Sequence, residues 1–214
     1  MNRLPGINDK TNCYGCRICE SICPKGCITM IQDKDGFFYP RADRARCIDC
    51  HLCEKVCPAF YEDFPTGFEQ KVYAGIHKSK SVCFGSSSGG AFTALYEECI
   101  REGFTVYGVR WGEEFKVQHD CAYTAEECQR FRKSKYVLSD INGSYAKIEK
   151  QLIEGRKILF SGTPCQCAAL KKYLAVKRTS TANLLIIDIV CHGAPSQKVF
   201  DEYINDLRVE SLYH

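Results

Sequence analysis

The 214 residues carry 29 Lys and Arg against 26 Asp and Glu, a net charge of +3 that gives no electrostatic case for nucleic-acid binding. The longest apolar run, residues 184–191, is interrupted by Asp188 and falls well short of the roughly 18 residues a membrane span needs. Sixteen cysteines with no apolar signal segment after Met1 point away from a secreted disulfide framework and toward a reducing, cytoplasmic setting in which thiolates serve as ligands.

A polar arm leads into Cys13-Tyr-Gly-Cys16-Arg-Ile-Cys19-Glu-Ser-Ile-Cys23-Pro24, and the same form returns as Cys47-Ile-Asp-Cys50-His-Leu-Cys53-Glu-Lys-Val-Cys57-Pro58. Both are C-x2-C-x2-C-x3-C-P, the spacing of cubane iron–sulfur ligands. Three cysteines on one tight loop reach three irons of one cube, and the fourth, a helical turn further on, ligates the other cube. One [4Fe–4S] cluster is therefore expected on Cys13, Cys16, Cys19 and Cys57, and a second on Cys47, Cys50, Cys53 and Cys23. Structural zinc also uses C-x2-C pairs, but zinc sites do not usually run four cysteines in this spacing followed by proline, twice. Between the repeats, Ile28-Thr-Met30 and Phe37-Phe-Tyr39 flank Asp33-Lys-Asp-Gly36, a hairpin signal. This stretch resembles bacterial two-cluster ferredoxins. Residues 1–62 are read as the two-cluster domain, 63–70 as a linker, and 71–214 as a second domain.

In that second domain, residues 71–77 read as a strand and 89–101 as a helix with apolar residues at helical spacing, stopped by Gly103. Residues 104–111 are the next strand, and 115–123 alternate as its antiparallel partner. Thr124 and Glu127 form a capping-box pattern, and residues 144–154 form a helix stopped by Gly155. Residues 157–161 are a buried strand, and Thr163-Pro164 opens a helix running through Leu174. Residues 184–190 are the strongest strand signal, and residues 196–207 form a final helix. Strands alternating with helices predict an α/β domain with a mostly parallel or mixed sheet, behind an α+β ferredoxin-like module. Neither G-x-G-x-x-G after a strand nor a Walker loop is present, which counts against standard NAD or ATP binding.

Four stretches carry candidate chemistry. Ser86, Ser87, Ser88, Gly89 and Gly90 open into a helix, where free N–H groups, hydroxyls and close-approach glycines suit an anion; a flexible capped loop is the plainer reading. Ser134-Lys135-Tyr136 suits a phosphate or ring contact, or is a solvated Lys beside a core Tyr. Gly162, Thr163, Pro164 and Cys165 follow a buried strand, where open α/β sheets bind ligands, though a simple βα turn fits equally. Cys191 and His192 follow the strongest strand, on the same sheet edge if both strands are parallel. The remaining cysteines, 27, 83, 99, 121, 128 and 167, have no motif and are read as packing.

Taken together and in order, SSSGGAFTAL, SKY, SGTPCQ and VCHG resemble the β subunits of coenzyme F420-reducing hydrogenase and F420-linked dehydrogenases, over about residues 71–210. The resemblance implies FAD in a non-Rossmann α/β domain, taking electrons singly from the clusters and passing them on as hydride to F420 or another acceptor. It implies that Ser86–Ser88, Gly89, Gly90, Ser134, Lys135, Tyr136, Gly162, Thr163, Pro164, Cys165 and Cys191 line the FAD site. Lys135 would stabilise charge and His192 would offer a proton. Relatives are longer, so the second domain is expected to be incomplete. A redox partner protein or small-molecule donor or acceptor, within a larger redox complex, is the expected company. The rival reading is a non-enzymatic, ferredoxin-like electron carrier with a docking domain.

Overall fold

The computed structural model describes residues 10–60, 69, 71–141 and 143–211. The expected linker at 63–70 falls outside the described residues apart from Glu69, as do residues 1–9 of the arm.

The cluster module is built twice over. Helix α1 (Ile18–Ile22) follows the first cysteine loop and α2 (Leu52–Lys55) the second. Both loops use left-handed backbone at matching positions, Gly15 at φ 65° and Arg17 at 59° in the first, Asp49 at 48° and His51 at 57° in the second. Non-glycine residues adopt this region only under local constraint, and it turns successive N–H groups toward one side as an anion-holding nest. Between the loops, β1 (Ile28–Gln32) and β2 (Phe38–Ala42) pair antiparallel with Ile28 opposite Ala42, as the hairpin signal predicts.

The second layer set begins with α3 (Lys80–Phe84) and α4 (Ala91–Arg101), followed by β3 (Phe104–Trp111), β4 (Val117–Ala122), α5 (Ala125–Cys128) and α6 (Ser144–Ile153). It closes with β5 (Lys157–Gly162), α7 (Pro164–Lys177), β6 (Leu184–Asp188) and α8 (Gln197–Ser211). The sheet order is β4-β3-β5-β6, antiparallel between β4 and β3 and parallel across the other two pairings, so the sheet is mixed. Alternation along β3 and β5 divides the core. Val106 and Leu159 face Tyr96, Cys99 and Cys128 on one side, while Tyr107, Ile158 and Phe160 face Ile148, Leu170 and Leu174 on the other.

Two sequence expectations need correction. Residues 71–77 form no strand: Val72, Tyr73 and Ile76 are 94%, 84% and 80% exposed, and nothing among the described residues pairs with this segment as a ladder. Apolar alternation alone does not make a strand without a neighbouring edge. Residues 184–190 end as a strand at Asp188 and lie at the sheet's margin, with Leu185 and Ile189 exposed.

The module does not sit apart from the α/β layers. Ile18 and Ile22 of α1, with Val56, share one buried core with Ile148, Phe160, Leu170 and Leu174. Burial of each such side chain contributes about 1.5–3 kcal/mol. Tyr145 donates from its buried hydroxyl to the Cys16 carbonyl at 3.1 Å, and Arg17 pairs with Asp140 at 3.0 Å. At the other end, the β1–β2 turn is held by Ser196, which donates to the Asp35 carbonyl at 2.6 Å.

Candidate cluster sites and crevice

Folding brings the cysteines of the two repeats into two groups. Cys23, Cys47, Cys50 and Cys53 line one cavity with Pro24, Ile28 and Leu52. Cys13, Cys16, Cys19 and Cys57 form the other group: burial raises the Cys19 thiol pKa most, and Cys16, Cys13 and Cys57 are each close enough to raise it further. Among the described residues no three such side chains converge closely enough for a single metal ion. The second set instead rings a space, which fits a cube-shaped cluster rather than one zinc. In the first loop, backbone N–H groups of Gly15, Ile18 and Glu20 reach the sulfurs of Cys13, Cys16 and Cys19. Cys27, expected as packing, is buried in this module with its sulfur 3.3 Å from that of Cys23.

The second site is a crevice of about 620 Å³ over the carboxyl ends of β5 and β6, within the range of small-molecule sites. Because these strands are parallel neighbours, with Gly162 opposite Asp188, the segments that follow them lie side by side. Ser86, Ser87, Ser88, Gly90, Ser134, Lys135, Tyr136, Gly162, Thr163, Cys191 and His192 all line the crevice. Gly89, Pro164 and Cys165 are not among its lining residues. Two of the sequence stretches meet directly, since Ser87 Oγ accepts from the Ser134 backbone N–H at 2.8 Å. Tyr136, Cys191 and His192 are exposed at the mouth.

The glycines of the serine-rich turn are required by the chain itself. Gly90 adopts φ 78°, and a Cβ on Gly89 would lie 2.9 Å from the Gly75 carbonyl oxygen. Their presence is therefore explained without a ligand, and substituting them would strain the fold first.

Charge and polarity in the crevice are uneven. Lys135 donates to the Arg132 carbonyl at 2.7 Å and the Arg130 carbonyl at 3.2 Å, and burial pulls its ammonium down to about 8. Arg132 lines the same wall and gives one guanidinium N–H to the Val82 carbonyl, while its buried Nε has no hydrogen-bond partner among the described residues. An orphaned buried cationic donor is costly and fits an anionic group of a bound molecule. The floor is a relay of neutral hydrogen bonds. Gln166 Nε2 donates to Ser139 Oγ at 3.0 Å, and Ser139 lies 3.1 Å from His119 Nδ1. His119 Nε2 lies 3.1 Å from the Ser161 carbonyl. A carbonyl only accepts, so Nε2 carries the proton and Nδ1 accepts from Ser139. Burial holds His119 down at about 4, against the weaker upward pulls of the Ser161 contact and Asp140.

Sequence reasoning missed Arg132, Ser139, His119 and Gln166 as parts of this site. Arg132-Lys133 directly precedes Ser134, and that basic run was the available signal; His119 and Ser139 are far apart in sequence and carried none.

Cys165 stands in the first turn of α7, between the two sites. Its sulfur is 3.2 Å from Thr163 Oγ1, and it lies within electrostatic reach of Cys13 and Cys16 on one side and Cys191 on the other.

Comparison with known proteins agrees with this geometry in two segments. Residues 12–60 match the 4Fe-4S dicluster domain, and residues 155–212 match the C terminus of the coenzyme F420 hydrogenase/dehydrogenase beta subunit. A chain in a xenon-derivatised structure of the F420-reducing [NiFe] hydrogenase complex from Methanosarcina barkeri shares the fold at a TM-score of 0.53 and 19% identity. The alignment covers 61% of this chain and 47% of that one. No curated protein matches. The chain is thus similar to the 4Fe-4S dicluster domain in its first segment and to the C terminus of the coenzyme F420 hydrogenase/dehydrogenase beta subunit in its last.

Proposed function

We propose that this protein is an oxidoreductase subunit that passes electrons between its two [4Fe–4S] clusters and FAD held in the crevice, and on to a hydride acceptor such as coenzyme F420. One observation carries the reading: the first turn of α7 supplies Thr163 and Gln166 to the crevice, while Cys165 of the same turn neighbours the first cluster's Cys13 and Cys16. Donor and acceptor sites thereby share a wall. When bound, the clusters supply one-electron carriage and a flavin supplies the exchange between single electrons and a hydride.

The chain's own residues account for binding and orientation. Arg132, Lys135 and the Ser86–Ser88 hydroxyls suit the anionic part of the cofactor, with the orphaned Arg132 Nε as the donor most in need of a partner. Phe92, Val109 and Ile187 give apolar walls for a ring system and exclude water from it. The Gln166–Ser139–His119 relay fixes the Ser161 carbonyl beside Gly162, so the floor does not shift as charge changes above it. His192, at the mouth, is assigned the role of proton donor, and Lys135 that of charge stabiliser. By analogy with the hydrogenase complex, the physiological assembly is a larger redox complex.

Anaerobic purification followed by cofactor extraction tests this. The expected result is FAD at about one per chain, identified by the rise in fluorescence after phosphodiesterase treatment. Protein that retains both clusters and releases no flavin would instead be a ferredoxin-like carrier.

A further inference from the structure

We infer that Cys27 is a fifth cysteine of the second cluster site, able to take the fourth ligand position in place of Cys23. Five sulfurs rather than four line that cavity: Cys23, Cys27, Cys47, Cys50 and Cys53. Cys27 Sγ is 3.3 Å from Cys23 Sγ, so an iron within bonding reach of one is near the other. Cys27 also interacts with Cys47, which places its thiol toward the loop of the second repeat rather than out among the core side chains.

The backbone fixes this placement. After Pro24 the chain turns through Gly26 at φ 54°, with the Gly26 N–H donating to the Cys23 carbonyl at 3.1 Å. That turn brings residue 27 back beside residue 23. The Cys27 carbonyl then accepts from the Asp43 N–H at 2.8 Å, which ties the residue to the base of the hairpin. Cys27 is 4% exposed, so the thiol is shielded from solvent while remaining on the cavity. A cysteine serving only as a small apolar filler would not need to place sulfur against sulfur. The repeat is asymmetric here. Tyr61 stands at the position after Cys57 that matches Cys27, so only the second cluster has a spare thiol from this turn.

The exchange is redox-neutral. The Cys27 thiol gives up its proton as its sulfur bonds iron, and the Cys23 thiolate takes one up as its own iron–sulfur bond breaks. With Cys23 absent, the Cys27 thiolate fills the open iron position.

Iron and sulfide content of anaerobically prepared full-length variants tests the inference. Cys23→Ala is expected to keep the iron content of the unmodified protein, with an altered spectrum for the second cluster. Cys23→Ala/Cys27→Ala is expected to lose about four irons, as is Cys50→Ala, which no spare thiol replaces. If Cys23→Ala does not fold, Cys23→Ser with and without Cys27→Ala carries the same comparison at conserved side-chain size. A Cys23 single variant that loses as much iron as Cys50→Ala would overturn the inference. So would a double variant that loses no more than the single one.

Discussion

The floor of the crevice carries a pH dependence that can be worked out from one side chain. His119 is buried between the Ser161 carbonyl and Ser139, stacks on Phe160 at 5.4 Å, and its pKa is held at about 4. Above about pH 6.5 the ring is neutral in both the folded and unfolded chain. Below that, the unfolded chain takes up a proton that the folded chain refuses until about pH 4, so stability falls as pH drops through this window. At about 1.4 kcal/mol per unit, the loss is about 2 kcal/mol between pH 6.5 and 5, and about 3 kcal/mol by pH 4. His119→Gln offers a donor and an acceptor without titrating. Anaerobic urea unfolding followed by far-UV circular dichroism, at pH 7, 6 and 5, gives the stability of both proteins. Acid sensitivity of the clusters is common to the two and cancels in their difference. The variant should lose about 2 kcal/mol less than the parent between pH 6.5 and 5. Parallel pH profiles would show that His119 does not set this dependence and that the relay is not as described.

Two further predictions concern the separate sites. Cys57→Ala should remove about four irons, and the signal that disappears should belong to the cluster of the first repeat, where Cys57 groups with Cys13, Cys16 and Cys19; loss of the second repeat's signal would break the crossed assignment. Lys135 is charged below about pH 8 and loses that charge as pH rises. FAD affinity measured by fluorescence titration should accordingly weaken by up to about tenfold per pH unit above 8, whereas Lys135→Arg should stay flat to about pH 10. A flat profile in the unmodified protein would remove Lys135 from the binding site.

The parts of this protein that read directly from sequence are those with obligatory spacing or local chemistry. A [4Fe–4S] cube fixes where its cysteines fall, so both repeats were visible. Local caps behaved similarly: Thr124 accepts from the Glu127 N–H at 3.2 Å, and Thr163 is the N-cap before Pro164 at the start of α7. What stayed hidden depends on contacts between distant residues. The short helix Lys80–Phe84 has no side-chain cap to announce it. His119 and Ser139 meet only because β4 lies beside the segment holding Asp140, through the 118–140 bridge. Residues 71–77 have strand composition but no edge to join. Cys27 looked like filler because its motif partner, Cys23, already had four cysteines' worth of spacing to satisfy. The shared core was the largest surprise, since a Pro- and Gly-marked linker suggested two independent units.

That shared core changes what it means for the chain to acquire iron. The two cysteine loops carry short helices and left-handed residues, so clusters supply much of their order. Yet Ile18, Ile22 and Val56 from those loops cover the faces of α6 and α7 that bear Ile148, Leu170 and Leu174. Any loss of order in the cysteine loops would therefore expose the apolar face formed by Ile148, Leu170 and Leu174. One set of side chains thus serves two ends, ordering the cysteine loops and covering the apolar face of the α/β layer.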